Sequence, residues 1–518
     1  MRFPTAFLTP LLLVCGSASA THADLLIGQV VDASGAGVAG VDIDVKNEGG
    51  GEDPDIFNDG TDANGMFAVT MPAGLYSITF NPPPPPASTS LVFEIEDVPV
   101  VGTTNLGVVQ LPQGVALTGR LLSPVGFPVP GVNIDVIELA SGDNLDLLGD
   151  KSNAFGNFAL AVPPGDLEVR FDTTPVQGQT LASEALQLNV PVDTDLGDIT
   201  LSQGFVLSGT LLRTTGGPVV GADLDVEDVA TGIELYTPKD NTDGSGQFSV
   251  VVPAGLFDVQ YCPQFSQQIA AGETAGLSVG ADVDLGTILL EPGVVLSGVI
   301  QSFAGAAVPS ADVDLKVPGT GSGVPLCGDN AGGNGSYAVV VPTGTFDVIF
   351  EPPGFTQPLG AEQHLSVVIA GNTVLNGVLP SCPFHASYGQ GLAGSGGLVP
   401  SLSSSGGAPR VGNDGWNLEL SNGLGGSTAI AVVSLAPTAL PAVGGTLLVN
   451  FSQAIVNTAL PLSGAPGVPG AGGFALPLPI PDNAGLVGLT IYAQSAVIDG
   501  GGPFGFALSQ GLSSTLCL

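Results

Sequence analysis

A pattern that returns four times, about ninety residues apart, limits what this chain can fold into more than any other feature. Gly28, Gly119, Gly209 and Gly298 are separated by 91, 90 and 89 residues, and Gly74, Gly165, Gly255 and Gly344 follow with the same three spacings. Two anchors that stay in step over three intervals indicate tandem units of one design. A unit of this length can close its own hydrophobic core, whereas a solenoid repeat depends on its neighbours.

Within a unit the alternation has period two. In Val41-Asp42-Ile43-Asp44-Val45 the apolar side chains fall on one face and the carboxylates on the other. Phe248-Ser249-Val250-Val251-Val252 repeats the pattern with β-branched residues suited to a pleated, half-buried surface. Asn64-Gly65 and Asp243-Gly244 supply tight turns, and Pro72, Pro163, Pro253 and Pro342 close strands where a missing N–H is tolerated. No useful window shows helical spacing of apolar residues. Short strands with turns at regular intervals predict an all-β sandwich.

The order G-x-V-x-D, G-x-x-V/I-x-V and T-D-x-x-G-x-F-x-V-x-V-P-x-G-x-Y resembles the carboxypeptidase regulatory-like domain, a relative of the Cna B-type and transthyretin-like sandwiches. The resemblance covers roughly residues 25–380. It implies four tandem seven-stranded Greek-key β-sandwich domains of the kind used as non-catalytic modules in secreted or surface proteins. The implied units are 24–113, 114–203, 204–292 and 293–381, joined by short Gly- and Pro-containing linkers that favour a semi-rigid monomeric rod. Residues 1–23 read as a secretory signal, with Arg2, an apolar run and Ala18-Ser19-Ala20.

From residue 382 to 518 the composition turns to Gly, Ser, Leu and Pro, and only Asp414, Glu419, Asp482 and Asp499 remain of the acids. Strand-like runs at Asn417–Leu420, Ala429–Leu435, Thr446–Phe451 and Leu489–Ala493 predict a distinct C-terminal β-sandwich, with disorder as the alternative. Tyr388-Gly-x-Gly, Trp416 and Leu476-Pro-Leu-Pro-Ile-Pro-Asp482 resemble a C-terminal module of secreted proteins from planctomycete-type bacteria.

Nine basic residues against 47 acidic ones argue against nucleic acid and anionic lipid, which require clustered Lys and Arg. No apolar run reaches the length of a membrane span. Outside the signal the cysteines are Cys262, Cys327, Cys382 and Cys517. An even number in an exported chain points to disulfides, with three connectivities open. Pairing Cys382 with Cys517 would staple the two ends of the tail, and pairing Cys262 with Cys327 would clamp adjacent repeats.

His364 and His385 are the imidazoles clear of the signal, and neither lies in a motif that pairs a base with a nucleophile, so an enzyme is not expected. One polar pattern exceeds what a solvated strand needs. The second strands carry Asp42/Asp44, Asn133/Asp135, Asp223/Asp225 and Asp312/Asp314, and the turns that follow carry Asp59, Asp150, Asp240 and Asp329. Three positions further come Asp62, Asn153, Asp243 and Gly332. Three or four such oxygens could converge on calcium, although the spacing is no EF-hand; the other reading is a solvated acidic face with Asx-turns.

The chain is therefore expected to be a non-catalytic extracellular or cell-envelope rod that presents a surface to a matrix component or protein partner. The alternative is a carbohydrate-binding array on a starch-binding-like sandwich. That reading needs exposed aromatics, and the chain has one Trp and six Tyr.

Overall fold

The computed structural model describes residues 24–50, 52–145, 147–173 and 180–518; the expected signal lies outside them. Among the described residues there is no α-helix, and the chain is all-β. In the first repeat six strands are formed: β1 (Asp24–Val31), β2 (Asp42–Asn47), β3 (Met66–Met71), β4 (Gly74–Asn81), β5 (Phe93–Val100) and β6 (Thr103–Gln110). They make two three-stranded sheets, ordered β3-β1-β6 and β2-β4-β5. The chain thus changes sheet repeatedly, and β1 pairs with β3 antiparallel but with β6 in parallel.

The two sheets face each other over one core. Leu26, Val30, Ile43, Val69, Ile78 and Phe80 are fully buried, drawn alternately from the two sheets as the period-two pattern requires. Three further cores lie within 117–201, 207–290 and 296–379, each built from the strands of one repeat. The third repeat has a seventh strand, Ile233–Glu234, paired with Asp223–Asp228. In the second and fourth repeats the corresponding pairing shrinks to single bridges, Ile137↔Asn144 and Lys316↔Gly323. Turn-forming Gly, Ser, Asp and Thr dominate those stretches, which leaves little side-chain packing to extend a ladder.

The recurring first-strand glycines have a packing reason. Gly28, Gly119 and Gly209 sit opposite Phe67, Phe158 and Phe248. The phenyl ring lies across each glycine, and a Cβ there would come within 2.7 Å of the ring. This cross-strand cover returns the burial that glycine cannot supply itself.

Residues 382–518, expected either as a second sandwich or as disorder, are folded. One sheet orders Ala386–Tyr388, Gly511–Thr515, Thr490–Ile498, Thr428–Ser434 and Ala454–Pro461, and a second contains Ser401–Ser405, Asn417–Gly423 and Gly472–Pro477. Leu402, Leu418 and Leu420 from the smaller sheet pack with Ala429, Val433, Val497 and Leu512 from the larger. Trp416, 1% exposed, centres a smaller cluster with Ile480 and Leu516.

One backbone device recurs wherever one unit follows another. Single bridges join Ser90↔Gln113, Leu181↔Gln203, Ile269↔Pro292 and Leu359↔Ser381, so each linker pairs back onto the loop between the fourth and fifth strands of the repeat before it. The bridge at the second joint comprises Ala182 N–H to Ser202 O (3.1 Å) and Gly204 N–H to Thr180 O (2.9 Å). Close approach here explains the linker glycine: a Cβ on Gly204 would lie 2.4 Å from Val251 Cγ1.

Candidate functional site

In every repeat the paired polar residues of the second strand lie on the face of its sheet away from the core. Ile43 and Val45 point into the core, which leaves Asp42 and Asp44 exposed on the opposite face. Asp42 is pushed up by burial and by the neighbouring Asp44 and Asp59 charges, so the strand pair and the first turn acid do share a neighbourhood. Asp44 Oδ2 accepts from Asn81 Nδ2 at 2.7 Å. In the second repeat Asn133 donates to Asp135 Oδ1 at 3.0 Å, and the backbone oxygen of Asp150 accepts from Ile134 N–H at 2.6 Å.

The third and fourth repeats hold their acids more tightly. Burial pushes Asp225 up to about 6, with Glu234 and Asp223 adding to the effect. Asp240 moves in the same direction, through burial and the adjacent Asp223, although Thr237 donates to its Oδ2 at 2.7 Å. Asp329 is likewise pushed up to about 6 by burial and then by Asp312, and Asp314 is raised by burial and Asp312. Asp312, Asp329, Glu351 and Arg410 line a cleft of about 600 Å³.

The second turn acids have a different task. Asp62 Oδ1 accepts from Asn64 N–H (2.8 Å) and Met66 N–H (2.9 Å), and Asp243 Oδ1 accepts from Ser245 N–H (2.8 Å) and Gln247 N–H (2.9 Å). Asn153 makes the same two contacts, with Phe155 and Asn157. At Gly332 the backbone N–H donates to Ser336 O, and Asn334 holds that turn instead. These oxygens anchor Asx-turns. Among the described residues no group of three or more His, Cys, Asp or Glu side chains stands where it could hold a metal ion. In the first three repeats the last member of each set thus has one oxygen committed to its own turn.

Between the two turn acids lies a group that sequence reasoning passed over. Thr61, Ser152 and Thr242 are buried, and each hydroxyl bridges two backbone groups. For Thr242, the hydroxyl donates to Val219 O at 2.7 Å and accepts from Ala222 N–H at 2.8 Å. The T-D dipeptide signalled the turn, but nothing local pointed to partners twenty or more residues earlier.

The four cysteines form two bonds, Cys262–Cys327 between the third and fourth repeats and Cys382–Cys517 across the C-terminal unit. His364 lies 3.4 Å from Glu362 and edge-on to Phe350. His385 Nδ1 lies 2.8 Å from Ser404 Oγ, beside a cleft of about 750 Å³. The structure therefore makes a base–hydroxyl contact that no sequence motif displayed, since Ser404 comes from a separate strand. Among the described residues no carboxylate hydrogen-bonds to His385, so the orienting third group of a nucleophilic triad is missing.

No family model matches the chain, and no curated protein does. Solved structures do give likenesses. The Bacillus anthracis TIE protein matches over 66% of this chain and 68% of its own, at 12% identity and a TM-score of 0.16. The shaft pilin SpaA from Lactobacillus rhamnosus GG matches over 35% of this chain and 98% of its own, at 12% identity and 0.18. A streptococcal ancillary pilin matches over 52% and 100%, at 11% identity and 0.16. Likenesses at these TM-scores bear on neither fold nor function.

Proposed function

We propose that the chain is a non-catalytic structural and adhesive protein of the cell exterior or envelope, an array that presents its acidic faces to a matrix component or protein partner. The observation that supports this reading is the serial layout: four repeat cores and a C-terminal core, with the same backbone bridge at each of four joints. A fold of this kind spaces and displays surfaces. Two disulfides agree with an oxidising compartment.

The carbohydrate-binding reading loses support. Trp416 and three of the six tyrosines, Tyr76, Tyr261 and Tyr337, are buried and so withdrawn from stacking on sugar rings, while Tyr236, Tyr388 and Tyr492 are half-buried and the exposed aromatics are phenylalanines such as Phe127, Phe155 and Phe303.

Particles coated with the full chain should be retained on extracellular matrix extracted from the producing cells, more than particles coated with a globular protein of equal charge. Antibody to the chain should label intact cells or the medium. Equal retention of both coatings, or antigen confined to the cytoplasm, overturns the proposal.

A further inference from the structure

The same pair of backbone bonds pins every joint, so the neighbouring side chains decide how far each joint can swing. The fourth strand of every repeat ends opposite the first polar residue of the second strand. Asn81 faces Asp42, Asp172 faces Asn133, Cys262 faces Asp223 and Glu351 faces Asp312. One register position thus holds four chemically different residues.

Their partners differ in kind. Asn81 turns back and donates to Asp44 within its own repeat. Asp172 meets Lys239 of the next repeat at 3.4 Å, and that lysine is 79% exposed. Cys262 is bonded to Cys327 of the next repeat. Glu351 meets Arg410 of the C-terminal unit at 3.1 Å, and Arg410, 6% exposed, also donates to the carbonyls of Pro352 and Gly354.

Two residues earlier on the same strand the contacts follow the same order. Thr79 borders an open cleft of about 400 Å³ between the first two repeats, shared with Leu91, Glu94, Glu138 and Leu145. Arg170 lies 5.0 Å over the Tyr236 ring at the second joint, and Gln260 donates to the Leu326 carbonyl at the third.

We infer that this register position is a latch, and that the array is graded in stiffness along its length. Among the described residues the first joint has no latch there. The second has an ion pair whose lysine is exposed, a weak restraint that salt screens. The third is covalent, and the fourth is a buried, multiply hydrogen-bonded guanidinium whose release would strand a charge. Repeats three and four and the C-terminal unit therefore move together, carried on a pliable N-terminal arm. This concerns the joints alone and does not rest on what the array binds.

The test is single-molecule energy transfer on the full chain, with dye pairs placed across one joint at a time through genetically encoded azido side chains, so that the cysteines stay untouched. Motion between neighbouring domains is the default where no latch exists, so the distance distribution at the first joint should be at least about twice as wide as at the third. Cys262→Ser with Cys327→Ser should widen the third joint alone, and Lys239→Ala should widen the second. Equal widths at the first and third joints of the unaltered chain overturn the inference, whatever the variants do. So does a third joint whose width is unchanged in the folded double-serine variant.

Discussion

Single residues hold these repeats in two distinct ways. Thr242 holds by satisfying backbone groups inside the protein, where its hydroxyl bridges Val219 O and Ala222 N–H. Thr242→Val keeps the shape but leaves both groups unpaired, and should destabilise the third repeat by about 1–3 kcal/mol. Calorimetry should show that repeat's transition moving to lower temperature while the others stay. Asp225 acts in the opposite sense, because burial and its acidic neighbours raise it to about 6. The folded form then binds the proton more tightly than the unfolded chain, whose Asp titrates near 4. Stability is highest below pH 4 on this account and falls as the pH rises through about 6, so the penalty is in force at neutral pH. Asp225→Asn should raise the melting midpoint at pH 7, by an amount equivalent to about 1 kcal/mol or less after solvent screening, and the gain should vanish by pH 4. Both roles escape a sequence reading for one reason. Alternation places Asp225 on the outer face of its strand, but only the fold shows that the outer face is half covered.

At the scale of strands, Val41 to Val45 and Phe248 to Val252 announced their elements and their inward faces, and the structure has both. The parallel pairing of β1 with β6 was not legible, because a period-two pattern says which face is buried and not which strand lies alongside. The contact of His385 with Ser404 was hidden for the same reason. In the C-terminal unit the short strand Ala386–Tyr388 is held against Gly511–Thr515, and Cys382–Cys517 ties the two ends just outside that pair. Replacing both cysteines by serine should cost the unit about 2–4 kcal/mol, since the bond closes a long loop. A separate, lower-melting transition for this unit, with the four repeats unmoved, is the expected trace. A chain whose transitions all stay in place would show that the sheet pairing alone suffices.

At the scale of the whole molecule the excess of acid is a property of the array. The formal net charge is −38, spread over strand faces that do not assemble a metal-holding group among the described residues. Calcium should therefore act as a screening ion: the melting shift in millimolar calcium should match that of sodium chloride at equal ionic strength. A calcium shift that persists in high salt and disappears in Asp225→Ala would show coordination instead. Serial cores pinned at every joint should keep the chain extended. Small-angle scattering of the monodisperse full chain tests it most directly. One compact body of this length would have a radius of gyration near 24 Å. The radius should lie well above that, with a distance distribution that is elongated at low and at high salt alike and that broadens with salt only through the weakly held second joint. A radius near 24 Å, or one that collapses as salt screens the charge, would contradict it.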